Sequence, residues 1–124
     1  MDDALTGKRV LVVEDEYFIA ADLRRALVAE GAVPVGPTGE LELGLSLIDA
    51  GRVDAALLDV DLEGATSYPI ADRLAERAVP FLFLTGYDGW ALPDAYRAAP
   101  RVAKPFAAGQ VIDALRCAMR EGLS

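Results

Sequence analysis

The chain has 124 residues, 53% of them hydrophobic, and a net charge of −8 from 20 acidic and 12 basic side chains. That length fits one domain with a real core, and no run nears the roughly 18 apolar residues of a membrane span. An acidic domain repels phosphate backbones, which argues against direct nucleic-acid binding. Histidine is absent. This removes Ser-His-Asp and Cys-His catalysis and leaves oxygen ligands, hence Mg²⁺ or Mn²⁺, for any cation. The opening MDDALTGKRV lacks the apolar stretch of a signal peptide, and the single Cys117 rules out an internal disulfide. Both fit a soluble cytoplasmic protein, with Cys117 expected to pack on a helix.

Arg9 to Val13 (RVLVV) is a β-branched apolar run that reads as a strand buried on both faces. Asp15 or Glu16 opens a helix carrying Ile19, Leu23, Ala26 and Leu27 on one face, with Gly31 as its stop. Val33 to Val35 is a short strand, placed at an edge by Pro34. Thr38 is the expected N-cap of a second helix bearing Leu41, Leu45 and Ile48, which Gly51 ends. Asp54 to Val60 is a third strand, and Tyr68 to Arg77 a third helix with Pro69 in its first turn.

Phe81 to Leu84 is a fourth strand. Pro93 to Ala98 reads as a short fourth helix, Val102–Ala103 as a fifth strand, and Phe106 to Arg120 as a last helix striped with Val111, Leu115, Ala118 and Met119. Five strands alternating with five helices predict an α/β fold: a parallel sheet with helices on both faces. The expectation is a single domain over 1–124, with its core at about 8–119 and a natural end at Glu121 to Ser124.

In such sheets ligands sit beyond the C-terminal ends of the strands. Glu14, Asp15 and Glu16 follow the first strand, Asp59 and Asp61 the third, Thr85 the fourth and Lys104 the fifth. Each alone has an ordinary explanation: acids and threonines cap helices, and lysines face water. Their convergence on one sheet edge does not. Crowded carboxylates repel one another and need a divalent cation to stay ionised. Asp59 can then attack a phosphoryl group, with Lys104 and Thr85 meeting the charge on its oxygens. Gly86, lacking a side chain, leaves room for that group to approach.

Taken in order, VLVVEDE, LLDVDLEG, FLFLTGY and AKPF resemble the receiver domains of two-component response regulators, over about Lys8 to Met119. The resemblance implies a flavodoxin-like, three-layer αβα fold with strand order 2-1-3-4-5 and five helices. It implies a signalling protein that catalyses its own phosphorylation and dephosphorylation and is not otherwise an enzyme. Asp59 becomes the phosphoacceptor. Glu14 and Asp15 become the acidic pair of a Mg²⁺ site (Mn²⁺ as a substitute), completed by Asp59 and the backbone carbonyl of Asp61. Thr85 becomes the switch hydroxyl and Lys104 the phosphate contact, with Lys104–Pro105 in cis. The implied partners are a histidine kinase or histidine phosphotransferase and a downstream protein, with no nucleic acid and no membrane.

Phe83-Leu84-Thr85-Gly86-Tyr87 looks like the signature of the FAT GUY receivers, many of which stand alone and serve general stress-response phosphorelays. Leu84 replaces the usual Ala, and Tyr87 follows Gly86 directly. Arg101 stands where most receivers carry an aromatic, which makes Tyr87 and Trp90 candidates for the moving ring. Two alternatives share the same parts. One is a haloacid-dehalogenase-type phosphatase, which Asp59-Val60-Asp61 superficially fits although Glu63 and the missing later acidic pair do not. The other is a receiver scaffold acting only as a binding module.

Overall fold

A computed structural model describes residues 4–86 and 92–122. The described residues form seven strands and four α-helices, in the order β1 Arg9–Val13, α1 Tyr17–Ala29, β2 Val33–Thr38, α2 Leu41–Asp49, β3 Ala55–Asp59, β4 Asp61–Leu62, β5 Ala65–Thr66, α3 Tyr68–Glu76, β6 Phe81–Thr85, β7 Arg101–Ala103 and α4 Ala108–Gly122. Five strands form one sheet in the order β2-β1-β3-β6-β7, and every pairing in it is parallel. This is the expected order with the small β4–β5 hairpin counted in. That antiparallel pair was not foreseen, being two residues a side.

The strands alternate their side chains between two cores, as a sheet covered on both faces requires. Val10, Val12, Leu57, Leu82 and Leu84 pack with Leu23 and Leu27 of α1 and Val111 and Leu115 of α4. Leu11, Val13, Leu58 and Phe83 pack with Ile48 of α2 and Ile70 and Leu74 of α3. Gly31 follows α1 at φ 82°, a left-handed position that stops the helix without a Cβ clash. β2 lies at the sheet edge, where Pro34 is tolerated.

Four expectations need correction. Pro93 to Ala98 is not an α-helix; the structure has a single 3-10 turn at Asp94–Tyr96, so the described residues hold four α-helices and not five. Pro93 is extended at ψ 155° and Pro100 biases Ala99 away from helical geometry, which leaves too few residues between them for α-turns. Thr38 closes β2 instead of capping α2; Glu40 holds the cap position, while the Thr38 hydroxyl accepts from the Glu40 N–H at 3.1 Å. The last helix starts at Ala108, after the Pro105-Phe106 lead-in. Cys117 lies on that helix but is exposed, so it does not pack.

No helix among the described residues is long and apolar enough to cross a membrane.

Candidate functional site at the strand ends

β1, β3, β6 and β7 end at the same edge, and backbone bonds lock their ends together. The Glu14 N–H donates to Thr38 O at 2.9 Å, the Val60 N–H to Leu84 O at 3.2 Å and the Lys104 N–H to Thr85 O at 2.6 Å. The edge therefore presents Glu14, Asp59, Thr85 and Lys104 from a fixed backbone. Glu14, Asp59 and Thr85 are all buried.

Lys104 reaches across from β7 to the acids. Its Nζ lies 3.1 Å from Glu14 Oε2, 3.3 Å from Glu16 Oε1 and 3.3 Å from Asp59 Oδ2. Burial of the ammonium pulls its pKa down, but the Glu14 and Asp59 carboxylates outweigh that and leave it raised. Asp59 moves the other way from an ordinary carboxylate. Burial and the neighbouring Glu14 push it up to about 7, against the opposing pull of Lys104. One ammonium does not balance this many acids.

Ligand atoms of Glu14, Asp15 and Asp59 all lie within 4.8 Å of one another. Such an all-oxygen set with an elevated carboxylate pKa fits a hard divalent cation of the Mg²⁺ kind. Asp61, on β4, donates its N–H to Asp59 Oδ1 at 3.3 Å, so the hairpin is tied to the same carboxylate. The Thr85 hydroxyl is buried with no hydrogen-bond partner among the described residues. Beside it, a Cβ at Gly86 would meet nothing within 4 Å among the described residues. Lys104–Pro105 is cis, as the resemblance implies, and Gly36–Pro37 is cis as well.

Tyr87 and Trp90 lie outside the described residues. Arg101 opens β7 and donates to the carbonyls of Tyr96, at 3.4 Å, and Arg97. Its guanidinium thus holds the end of the 3-10 turn. The described aromatics of this region cluster elsewhere. Tyr96 stacks on Tyr68 at 5.6 Å, and both meet Phe83 edge-on at 5.4 and 6.1 Å. Sequence reasoning missed this cluster, because Tyr68 and Tyr96 meet only through the tertiary fold.

It also missed Gly39. A Cβ there would lie 2.7 Å from Asp15 Cβ and 2.9 Å from Asp15 Cα, so the loop before α2 presses against the acidic pair. Only the absence of a side chain permits that approach. An open groove of about 1010 Å³ runs from Glu14 and Asp15 between α1, this loop and the β4–β5 hairpin.

No family model matches the chain. Its fold matches the solution structure of SdrG from Sphingomonas melonis Fr1 with a TM-score of 0.81 at 36% identity, over 97% of this chain and 99% of that one. The BeF3-activated conformation of SdrG from Pseudomonas melonis Fr1 is similar at a TM-score of 0.74 and 35% identity, over 90% of this chain and 98% of that one. A response regulator receiver protein from Burkholderia phymatum gives a TM-score of 0.77 at 25% identity, over 91% and 95% of the two chains. The transcriptional regulatory protein PdtaR of Mycobacterium tuberculosis is 31% identical over 121 residues, 94% of this chain and 59% of PdtaR. The chain spans about half the length of the curated relatives it matches. Likeness of this extent, end to end with SdrG and on the fold that the four motifs imply, means that the chain belongs to the response regulator receiver family of two-component signalling.

Proposed function

We propose that the chain is a phosphorylation switch, a single receiver domain over 1–124 that takes a phosphoryl group onto Asp59. The observation that carries this reading is the meeting of Asp59 with Lys104 Nζ at 3.3 Å beside the Glu14 and Asp15 carboxylates. A histidine kinase or histidine phosphotransferase presents a phosphohistidine. An Asp59 oxygen forms the new O–P bond, the P–N bond breaks, and the donor imidazole keeps the electron pair and takes up a proton.

Mg²⁺, held through Glu14, Asp15, Asp59 and the Asp61 carbonyl, would supply charge neutralisation at the phosphoryl oxygens. Lys104 supplies ammonium donors to those oxygens. Thr85, whose hydroxyl has no partner to give up among the described residues, turns to the same group. Thr85 ends β6, so its movement would carry the signal from the site to a surface that the next protein reads. The Phe83 to Tyr87 signature supports a place among the stand-alone FAT GUY receivers, in a cytoplasmic general stress-response phosphorelay. The end-to-end match with SdrG, and the existence of an activated SdrG conformation, support a switch of the same kind here. A haloacid-dehalogenase-type phosphatase is not favoured, since Glu63 breaks its motif and the likeness to a receiver covers 97% of the chain.

The test is intact-protein mass after incubation with acetyl phosphate, with and without Mg²⁺, for the wild type and Asp59→Asn. The expected result is a Mg²⁺-dependent gain of one phosphoryl mass that the variant loses. A gain retained by the variant moves the acceptor elsewhere. No gain from acetyl phosphate or from a phosphorylated kinase leaves only the binding-module reading.

A further inference from the structure

Glu16 has no part in the acidic pair, the acceptor or the lysine, yet its side chain reaches the centre of the site. It is the residue just before α1, extended at ψ 115°, and its side chain makes no cap bond to the helix. Its backbone is already committed: the N–H donates to Glu14 Oε1 at 3.1 Å, and the carbonyl accepts from Ala20 N–H at 2.9 Å. The carboxylate turns to Lys104, with Oε1 at 3.3 Å from Nζ.

Three carboxylates therefore share one ammonium, which has three N–H donors. They are not equivalent. The Glu14 side chain is 0% exposed and that of Asp59 7%, whereas that of Glu16 is 61% exposed. Taking the cation from Glu14 would leave a buried charge unpaired, a large penalty. Releasing Glu16 into water costs little, because exposed ion pairs are weak. When a phosphoryl group approaches while Asp59 is still anionic, Glu16 is the acid that can give up its share of Lys104.

We propose that Glu16 is a positioning residue that occupies a donor of Lys104 at the mouth of the site and selects against doubly charged small phosphodonors. It acts twice. It holds the ammonium away from the incoming oxygens, and its own charge repels the donor. Both effects grow with the donor's charge. This rests on the phosphorylation reading above.

Two donors separate the effects. Acetyl phosphate is a dianion at pH 7, and phosphoramidate carries one charge less. With either, Asp59 forms an O–P bond. The P–O bond to acetate breaks in one case, with acetate keeping the electron pair. The P–N bond breaks in the other, and the nitrogen leaves as ammonia. Labelling rates are read by intact mass at saturating Mg²⁺ for the wild type, Glu16→Gln and Glu16→Lys.

For Glu16→Gln we expect a gain of roughly tenfold with acetyl phosphate and about threefold with phosphoramidate, from Coulomb repulsion across some 6 Å of water. Glu16→Lys should widen both gains in the same order, and 1 M KCl should erase most of each. Equal gains for the two donors, no gain, or gains that survive high salt overturn the proposal while leaving Asp59 as acceptor. A wild type that neither donor labels, or a label that persists in Asp59→Asn, overturns the phosphorylation reading and this proposal with it.

Discussion

Asp49 and Asp59 end consecutive elements, α2 and β3, and the fold shifts them in opposite directions. Asp49 faces α3. Arg73 Nη1 donates to both its oxygens, at 2.6 and 2.7 Å, and Arg77 Nη2 donates at 3.0 Å. The Arg73 hydrogen bond holds its carboxyl below the usual range. Asp59 is buried beside Glu14 and Asp15 and must share Lys104 with other acids, so its pKa rises to about 7. At the first site two guanidiniums close on one carboxylate, with Glu76 only at 3.9 Å from Arg73 Nε. At the second acids outnumber the cation. The first pattern is how a surface joins two helices; the second leaves a deficit that an added cation would fill, and such imbalance concentrates at functional sites.

The comparison is broken most severely at Lys104. Lys104→Met removes the ammonium that Glu14, with a side chain 0% exposed, depends on. We expect a loss of about 3 kcal/mol in urea unfolding at pH 8 without Mg²⁺. Adding Glu14→Gln should recover much of it, since the unpaired charge goes too. A loss that Glu14→Gln leaves unchanged would mean that Lys104 acts by packing.

Asp59→Asn should do the opposite and stabilise the metal-free protein. The sign follows from a folded pKa of about 7 against an unfolded value of 3.8. Well below pH 4 both states are protonated and the group costs nothing. As pH rises from there to 7 the unfolded state releases its proton first, so wild-type stability falls. The variant's advantage should therefore be absent near pH 3, already evident at pH 5 and at its full size by pH 8. Saturating Mg²⁺ should shrink it, because a ligand of the folded state stabilises the wild type by mass action. An advantage independent of pH would show that Asp59 is not the strained acid.

Gly39→Ala probes the same end through the backbone. The new methyl would overlap Asp15, whose Cβ would lie 2.7 Å away. Asp15 must shift, backbone included, since its Cα would lie 2.9 Å away, so we expect about a tenfold weaker Mg²⁺ affinity by calorimetry together with a metal-free stability loss of about 1 kcal/mol or more. Unchanged affinity would remove Asp15 from the proposed cation site.

How much of this was legible follows from the range of each interaction. Glu14, Asp59, Thr85 and Lys104 each end an apolar run, so a local pattern plus the parallel-sheet rule brings them together. The strand order and the cis Lys104–Pro105 came with the motifs. Gly39 was invisible because its meaning is a contact with Asp15, a residue in another loop. Glu16 was noticed with its neighbours, but nothing local says that it turns toward Lys104 instead of capping α1. Asp94–Tyr96 misled because prolines on both sides shorten a segment whose composition allows a helix. Cys117 was expected to pack although the stripe Val111, Leu115, Ala118 and Met119 already sets it on the opposite face of α4, where it is exposed.

Asp49→Asn should give the smallest effect. Its oxygens meet two guanidiniums, yet its side chain is 49% exposed, so water already solvates the charge and screens the pair. A depressed carboxyl contributes stability above its unfolded pKa and loses it as pH falls through the folded value. The variant should thus lower the urea midpoint slightly at pH 7, and the difference should close below about pH 4. It should shrink in 0.5 M salt as well. A deficit as large as that of Lys104→Met would reverse the comparison. The α2–α3 network would then anchor the fold, and the crowded strand edge would owe its arrangement to packing more than to charge.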